Sequence, residues 1–187
     1  MFRRRLRIPS FRRRVRAERR ALLRLQEAHR YLAEGQPALA AAMFEELANH
    51  AASREIPNAP QLSLQAGRAW LLAGEVDRGM DRLGRGLQMM VQMGQTGRLP
   101  RVARRVLSEL RSRGLSEEAD VLEAQVREQL PGLSWPQEAA TSGAPVTRRL
   151  PPKCPYCGGT VVPDSIEWVD QGSALCDYCG SVLQGEG

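Results

Sequence analysis

Cys154, Cys157, Cys176 and Cys179 are the only cysteines of the 187-residue chain, and all four fall in its last 34 residues. They form two Cys-x-x-Cys pairs with 18 residues between them. That spacing reads as a zinc site with four cysteine ligands. Each pair makes a tight turn that presents two thiolates to one ion, and Gly158 and Gly180 let the backbone turn back beside the metal. Four thiolates close the tetrahedron and leave no position for water. The expected ion is therefore one structural zinc, not a catalytic one. The competing chemistry is two disulfides in a secreted protein. No secretion signal precedes the cysteines, and the spacing suits metal better.

The cysteine segment resembles the zinc-ribbon family, in which two knuckles are joined by a short β-hairpin. The resemblance places strands at 160–162, 166–169 and 173–175, with a turn at Gln171-Gly172. So small a core needs a staple, so binding the metal amounts to folding the segment. Residues 153–187 set Lys153 against Asp164, Glu167, Asp170, Asp177 and Glu186, a net charge of −4 before the metal site is counted. A phosphate-binding ribbon would carry Arg or Lys on its hairpin. This one suits protein, with Tyr156, Trp168 and Tyr178 as its contact aromatics, although Trp168 reads equally as hairpin core.

Elsewhere the chain is helical in character. Aromatic residues make up 5%, and much of the 42% hydrophobic content is Ala and Leu. Internal similarity organises residues 21–130. Ala28, Tyr31, Gly35, Ala40 and Phe44 align with Gly67, Trp70, Gly74, Gly79 and Leu83, offset by 39 at every position. A weaker third unit follows at Leu107, Leu110, Gly114 and Ala119, where Glu123 takes the last position and Leu122 adjoins it. The physical sense is two helices packed as a hairpin. A small residue allows close approach, an aromatic fills the space between, and Gly35 and Gly74 make turns with positive φ.

This pattern resembles the tetratricopeptide repeat (TPR). That family repeats at 34 residues, so the 39-residue offset implies inter-hairpin loops longer by about five residues. They are placed at 51–60 and 94–100. Helices are expected at 11–34, 37–52, 60–73, 76–93, 100–113 and 116–130. Pro37, Pro60 and Pro100 precede or open helices, and Ser116-Glu117-Glu118 starts one. The resemblance further implies a concave face on the first helix of each pair, offering His29, Leu32, Arg68, Leu71, Arg104, Ser108 and Arg111 to a protein partner, such as an acidic peptide. An ordinary solvated helix face reads equally well from the same residues.

Residues 1–20 hold ten arginines and one glutamate, a net +9, whereas the rest of the chain is net −3. The whole-chain charge of +6 thus describes a mildly acidic body with a basic arm. Pro9 breaks any helix near it, and Ser10 is a candidate N-cap for a helix running on from Phe11. Arg3, Arg4, Arg5, Arg7, Arg12, Arg13, Arg14 and Arg16 fit three settings: RNA or DNA phosphates, an anionic membrane with Phe2, Leu6, Ile8 and Phe11 dipping in, or a solvated tail docking on acidic protein. No apolar run approaches the ~20 residues that span a membrane. No apolar h-region follows the arginines, which makes the reducing cytoplasm the expected compartment.

Residues 131–153 contain five prolines among mostly small or polar residues. They read as a linker with a flexible span of about 25 Å, separating two cores. Trp135 is its exception, expected to pack back on the helices. No catalytic constellation assembles. His29 and His50 both fall inside expected helices, and Gly84-Arg85-Gly86 has no strand before it to make a phosphate loop. The expected fold is mainly α, a TPR-like α-hairpin solenoid with a small C-terminal β zinc ribbon. Its parts are a basic arm (1–20), the helical domain (21–130), a Pro-rich linker (131–150) and the ribbon (151–187). The expected function is a non-catalytic, cytoplasmic protein-interaction adaptor with no small-molecule substrate. The alternative is an RNA- or ribosome-associated or membrane-surface factor held by the arm.

Overall fold

The computed structural model describes residues 11–129, 149–162, 166–168, 172–176, 178–179 and 181–185, with side chains described from Arg16 onward except at Gln129 and Glu167. Residues Arg3 to Arg7, Ser10, Trp135 and most of the expected linker lie outside them, and so does Gln171 of the expected turn.

Six helices account for the first part: α1 (Phe11–Ala33), α2 (Pro37–Ala52), α3 (Ala59–Leu72), α4 (Val76–Gln92), α5 (Leu99–Ser112) and α6 (Ser116–Gln129). Every boundary lies within one residue of the spacing-based expectation. Proline opens α2, α3 and α5 in the first two positions, where a missing N–H costs nothing. The stops are glycine turns. Gly35 has φ 72°, Gly35 N donates to Leu32 O, and Gln36 N donates to Tyr31 O. This pair of bonds satisfies two end carbonyls and requires the left-handed backbone that glycine adopts without strain. The same pair recurs after α3, α4 and α5.

Sequence-adjacent helices pack in pairs: α1 on α2, α3 on α4, and α5 on α6. The pairs join through α2 on α3 and through α4 on both α5 and α6. Small residues set the closest approach. A Cβ on Gly67 would come within 2.8 Å of Leu83 Cγ and 2.9 Å of Gly79 O, so α3 and α4 meet backbone to backbone. Gly86 repeats the contact further along α4, against Leu64 and Pro60 O. Phe44, Leu83 and Leu122 are fully buried at the large-residue positions of the three hairpins. In the third, Leu122 takes the core place and leaves Glu123 to pair with Arg111 and Arg127.

A polar cluster fastens α2, α3 and α4. The Trp70 indole N–H donates to Glu45 Oε2 at 2.9 Å, and Arg78 lies over its ring at 3.5 Å. Arg82, only 9% exposed, reaches Glu45 and donates to Asn49 Oδ1 at 2.9 Å. Ser63 Oγ closes the group by donating to Arg82 O. A buried guanidinium is tolerable only with such partners.

The C-terminal part is a three-stranded antiparallel sheet in the order β1 (Glu167–Trp168), β2 (Ser173–Leu175), β3 (Val182–Gln184). Strands β1 and β2 fall within the expected strands at 166–169 and 173–175. Residues 160–162 do not form one, since Thr160 makes only an isolated bridge to Lys153. The third strand instead follows the second knuckle, where Val182 pairs with Leu175. Three residues with one apolar position inward, Leu183, are too short to show alternation from sequence.

Candidate metal centre and helical face

The first knuckle closes because Cys154 N donates to Gly159 O at 2.8 Å and Gly158 N to Cys154 O at 2.9 Å, with Gly158 at φ 77°. The second closes through Cys176 N donating to Ser181 O at 2.9 Å. The two turns bring all four sulfurs within 4.8 Å of one another. Cys154 Sγ stands 3.7 Å from Cys179 Sγ, and Cys157 Sγ 3.7 Å from Cys176 Sγ. No disulfide joins them. A tetrahedron with metal–sulfur bonds of about 2.3 Å has edges of about 3.8 Å, so the spacing fits one metal ion.

The charge state points the same way. Cys157 is raised far above an ordinary thiol, by hydrogen bonding to Cys176 and Cys179 and by burial. Cys179 is depressed by hydrogen bonds from Cys157 and Cys176. Four thiolates this close repel one another, and a divalent cation removes the conflict. Cys154, Cys157 and Cys176 are buried, and Cys179 Sγ lies 3.3 Å from Ser181 Oγ, a hydroxyl able to donate to a metal-bound sulfur.

The helical candidates are scattered in role. Arg68 donates to Glu109 of α5 at 2.7 Å, tying α3 to α5. Arg111 turns toward α6 and bonds Asp120 and Glu123, both at 2.8 Å. That bond first, with Arg127 further down, holds the Glu123 carboxyl below its ordinary range. Leu71 is buried against the Gly79 backbone. Arg104 is half-buried and Ser108 exposed on α5. Leu32 is partly buried, and His29 lies edge-to-face with Phe44 at 5.2 Å and with Tyr178 of the second knuckle at 4.5 Å. Burial takes the His29 pKa down to about 4, against an opposing pull from Cys179.

His29 therefore meets the ribbon of its own chain. Leu25, Ala28 and Phe44 share one apolar cluster with Cys154, Ile166, Ala174 and Leu183, where the linker reading implied two separate cores. Charge and spacing carry no sign of this contact, because the residues that make it lie about 110 to 160 positions apart. Of the basic arm, α1 includes Arg12, Arg13, Arg14 and Arg16, and residues 16–20 are exposed at every position. Among the described residues no helix is long and apolar enough to cross a membrane. Compared with known proteins, the chain matches no family model, no curated sequence and no solved structure.

Proposed function

We propose that this protein is a non-catalytic adaptor. TPR-like hairpins would present its binding face, and a ribbon held by one structural zinc would stabilise or extend it. The observation that carries the reading is the four-sulfur cluster. Its ligand set is complete, so the ion would have no open position at which to activate water or substrate. Thiolate ligands with tetrahedral spacing suit zinc. The α5 side of the helical face, around Arg104 and Ser108, is where a protein partner carrying acid would bind. The protein would act in the cytoplasm.

The test is capture of partners by the zinc-loaded full chain, with and without nuclease, beside a Ser108→Glu variant, whose added carboxylate would repel an acidic partner. Capture that survives nuclease and is lost in the variant supports the adaptor. Capture lost with nuclease and kept by the variant refutes it. One observation favours a second reading, an RNA-associated factor. Helix α1 has 23 residues against 16 in α2, and its residues 16–20, three of them arginines, are exposed at every position. Deleting residues 2–16 would then abolish RNA binding. Milder variants would flatten the slope of log affinity against log salt by about 0.7 for every phosphate of a single strand that the arm ceases to neutralise.

A further inference from the structure

Each knuckle contributes a contact that seats the ribbon on α1. Gln26 Nε2 donates to the carbonyl oxygen of Tyr156, in the first knuckle, at 2.7 Å. Three residues along the helix, the His29 ring meets Tyr178, in the second knuckle, at 4.5 Å and 88°. The two knuckles also fix each other. A Cβ on Gly159 would lie 2.4 Å from the Tyr178 ring, so the ring rests on the bare backbone of the first knuckle. Beneath these contacts Leu25 and Ala28 join the cysteines in one apolar cluster, with Leu32 and Trp168 at its margin. His29 Nε2 is buried with no hydrogen-bond partner. A polar atom shut away in this fashion gives up its water for the sake of the surrounding packing.

Among the described residues, no strand of the sheet belongs to the first knuckle. The sheet gathers β1, β2 and β3, while the first knuckle is closed within itself by the Lys153–Thr160 bridge and by the bonds from Cys154 N to Gly159 O and from Gly158 N to Cys154 O. The four sulfurs, converging from both knuckles, set where the Tyr156 carbonyl stands relative to the Tyr178 ring. We propose that the ribbon is a metal-controlled cover on the first hairpin. With the ion bound, the knuckles clasp Gln26 and His29 and shield the α1 face that carries Leu25, His29 and Leu32. Loss of the ion releases the cover and opens that face. The inference rests on the zinc reading above. It goes beyond that reading, because a purely structural ribbon on a free tether would hold its ion without any effect on α1. Linkage makes the coupling reciprocal, so loosening the clasp from the α1 side weakens the hold on the ion by the same factor.

The chain has two histidines, and His50 is exposed on α2. Imidazole NMR of the full chain therefore yields one signal from under Tyr178 and one internal control. Zinc content is measured first, and a chain that retains none defeats the zinc reading itself. In the zinc-loaded chain, extraction with a chelator is expected to abolish the ring-current shift of His29 and leave His50 in place. Zinc affinity, read by competition with a chromophoric chelator, is expected to fall by about fivefold or more in Gln26→Ala and in His29→Ser. Gln26 sits on an exposed helix surface, so its replacement leaves the hairpin folded. A His29 signal that ignores zinc removal overturns the proposal while leaving the zinc reading intact. Native zinc affinity in both variants overturns it equally.

Discussion

Helix α4 contains three glycines, and at two of them one substitution should have opposite effects. Replacing a helix-interior glycine by alanine gains about 1 kcal/mol from backbone entropy, wherever in the helix it stands. At Gly84 little opposes the gain. The new Cβ would meet Leu122 Cδ1 at 3.7 Å, an ordinary contact, beside a cleft of about 320 Å³ between α4 and α6. At Gly79 the Cβ would stand 2.7 Å from both Cγ and Cδ2 of Leu71 and 3.1 Å from Gly67 O. Leu71 is itself buried, and the carbonyl belongs to α3, so relief requires the helices to part. Overpacking of this kind costs about 1–3 kcal/mol. Taking the upper part of that range, because backbone must move, the net loss for Gly79→Ala is about 1–2 kcal/mol. Gly84→Ala should gain about 0.5–1 kcal/mol. Urea unfolding of the zinc-loaded chain, followed by far-ultraviolet circular dichroism, measures both as shifts in midpoint at constant slope. Shifts of the same sign would refute the claim that α3 and α4 meet backbone to backbone.

Trp70→Ala should cost about 3–5 kcal/mol in the same assay, and Trp70→Phe only about 1, because the ring is retained and Glu45 keeps Arg82 as a partner. Glu45→Ala leaves the buried Arg82 guanidinium with Asn49 alone, and should cost about 3 kcal/mol, a loss that Arg82→Met made in the same chain would largely reverse. Elemental analysis should find about one zinc per chain and none in Cys176→Ser. Because ribbon and first hairpin share an apolar cluster, that variant should also speed amide exchange in α1 and α2, measured by mass spectrometry, and leave α5 and α6 at native rates.

What the sequence by itself determined was local. Helix limits followed from proline at the starts, glycine at the stops and apolar residues at helical spacing, because those signals act within one turn of where they are read. The 39-residue offset located Ala28, Ala40, Gly67 and Gly79, all buried, because a small residue is demanded wherever two helices touch closely. The four metal-ligand candidates were legible for the same reason, since each Cys-x-x-Cys is its own turn. Only the tertiary structure decided matters that depend on distant residues meeting. Arg68 and Arg111 looked like groove charges until Glu109, Asp120 and Glu123 were brought within hydrogen-bond reach of them. Glu45 of α2 and Arg82 of α4 come within bonding reach only because these helices pack together around α3. A ribbon expected at the end of a free tether lies instead on α1, with Tyr178 against His29. Packing of one face on another leaves no periodic trace in either stretch of sequence, because its energy comes from shape and burial at a contact that neither stretch makes alone.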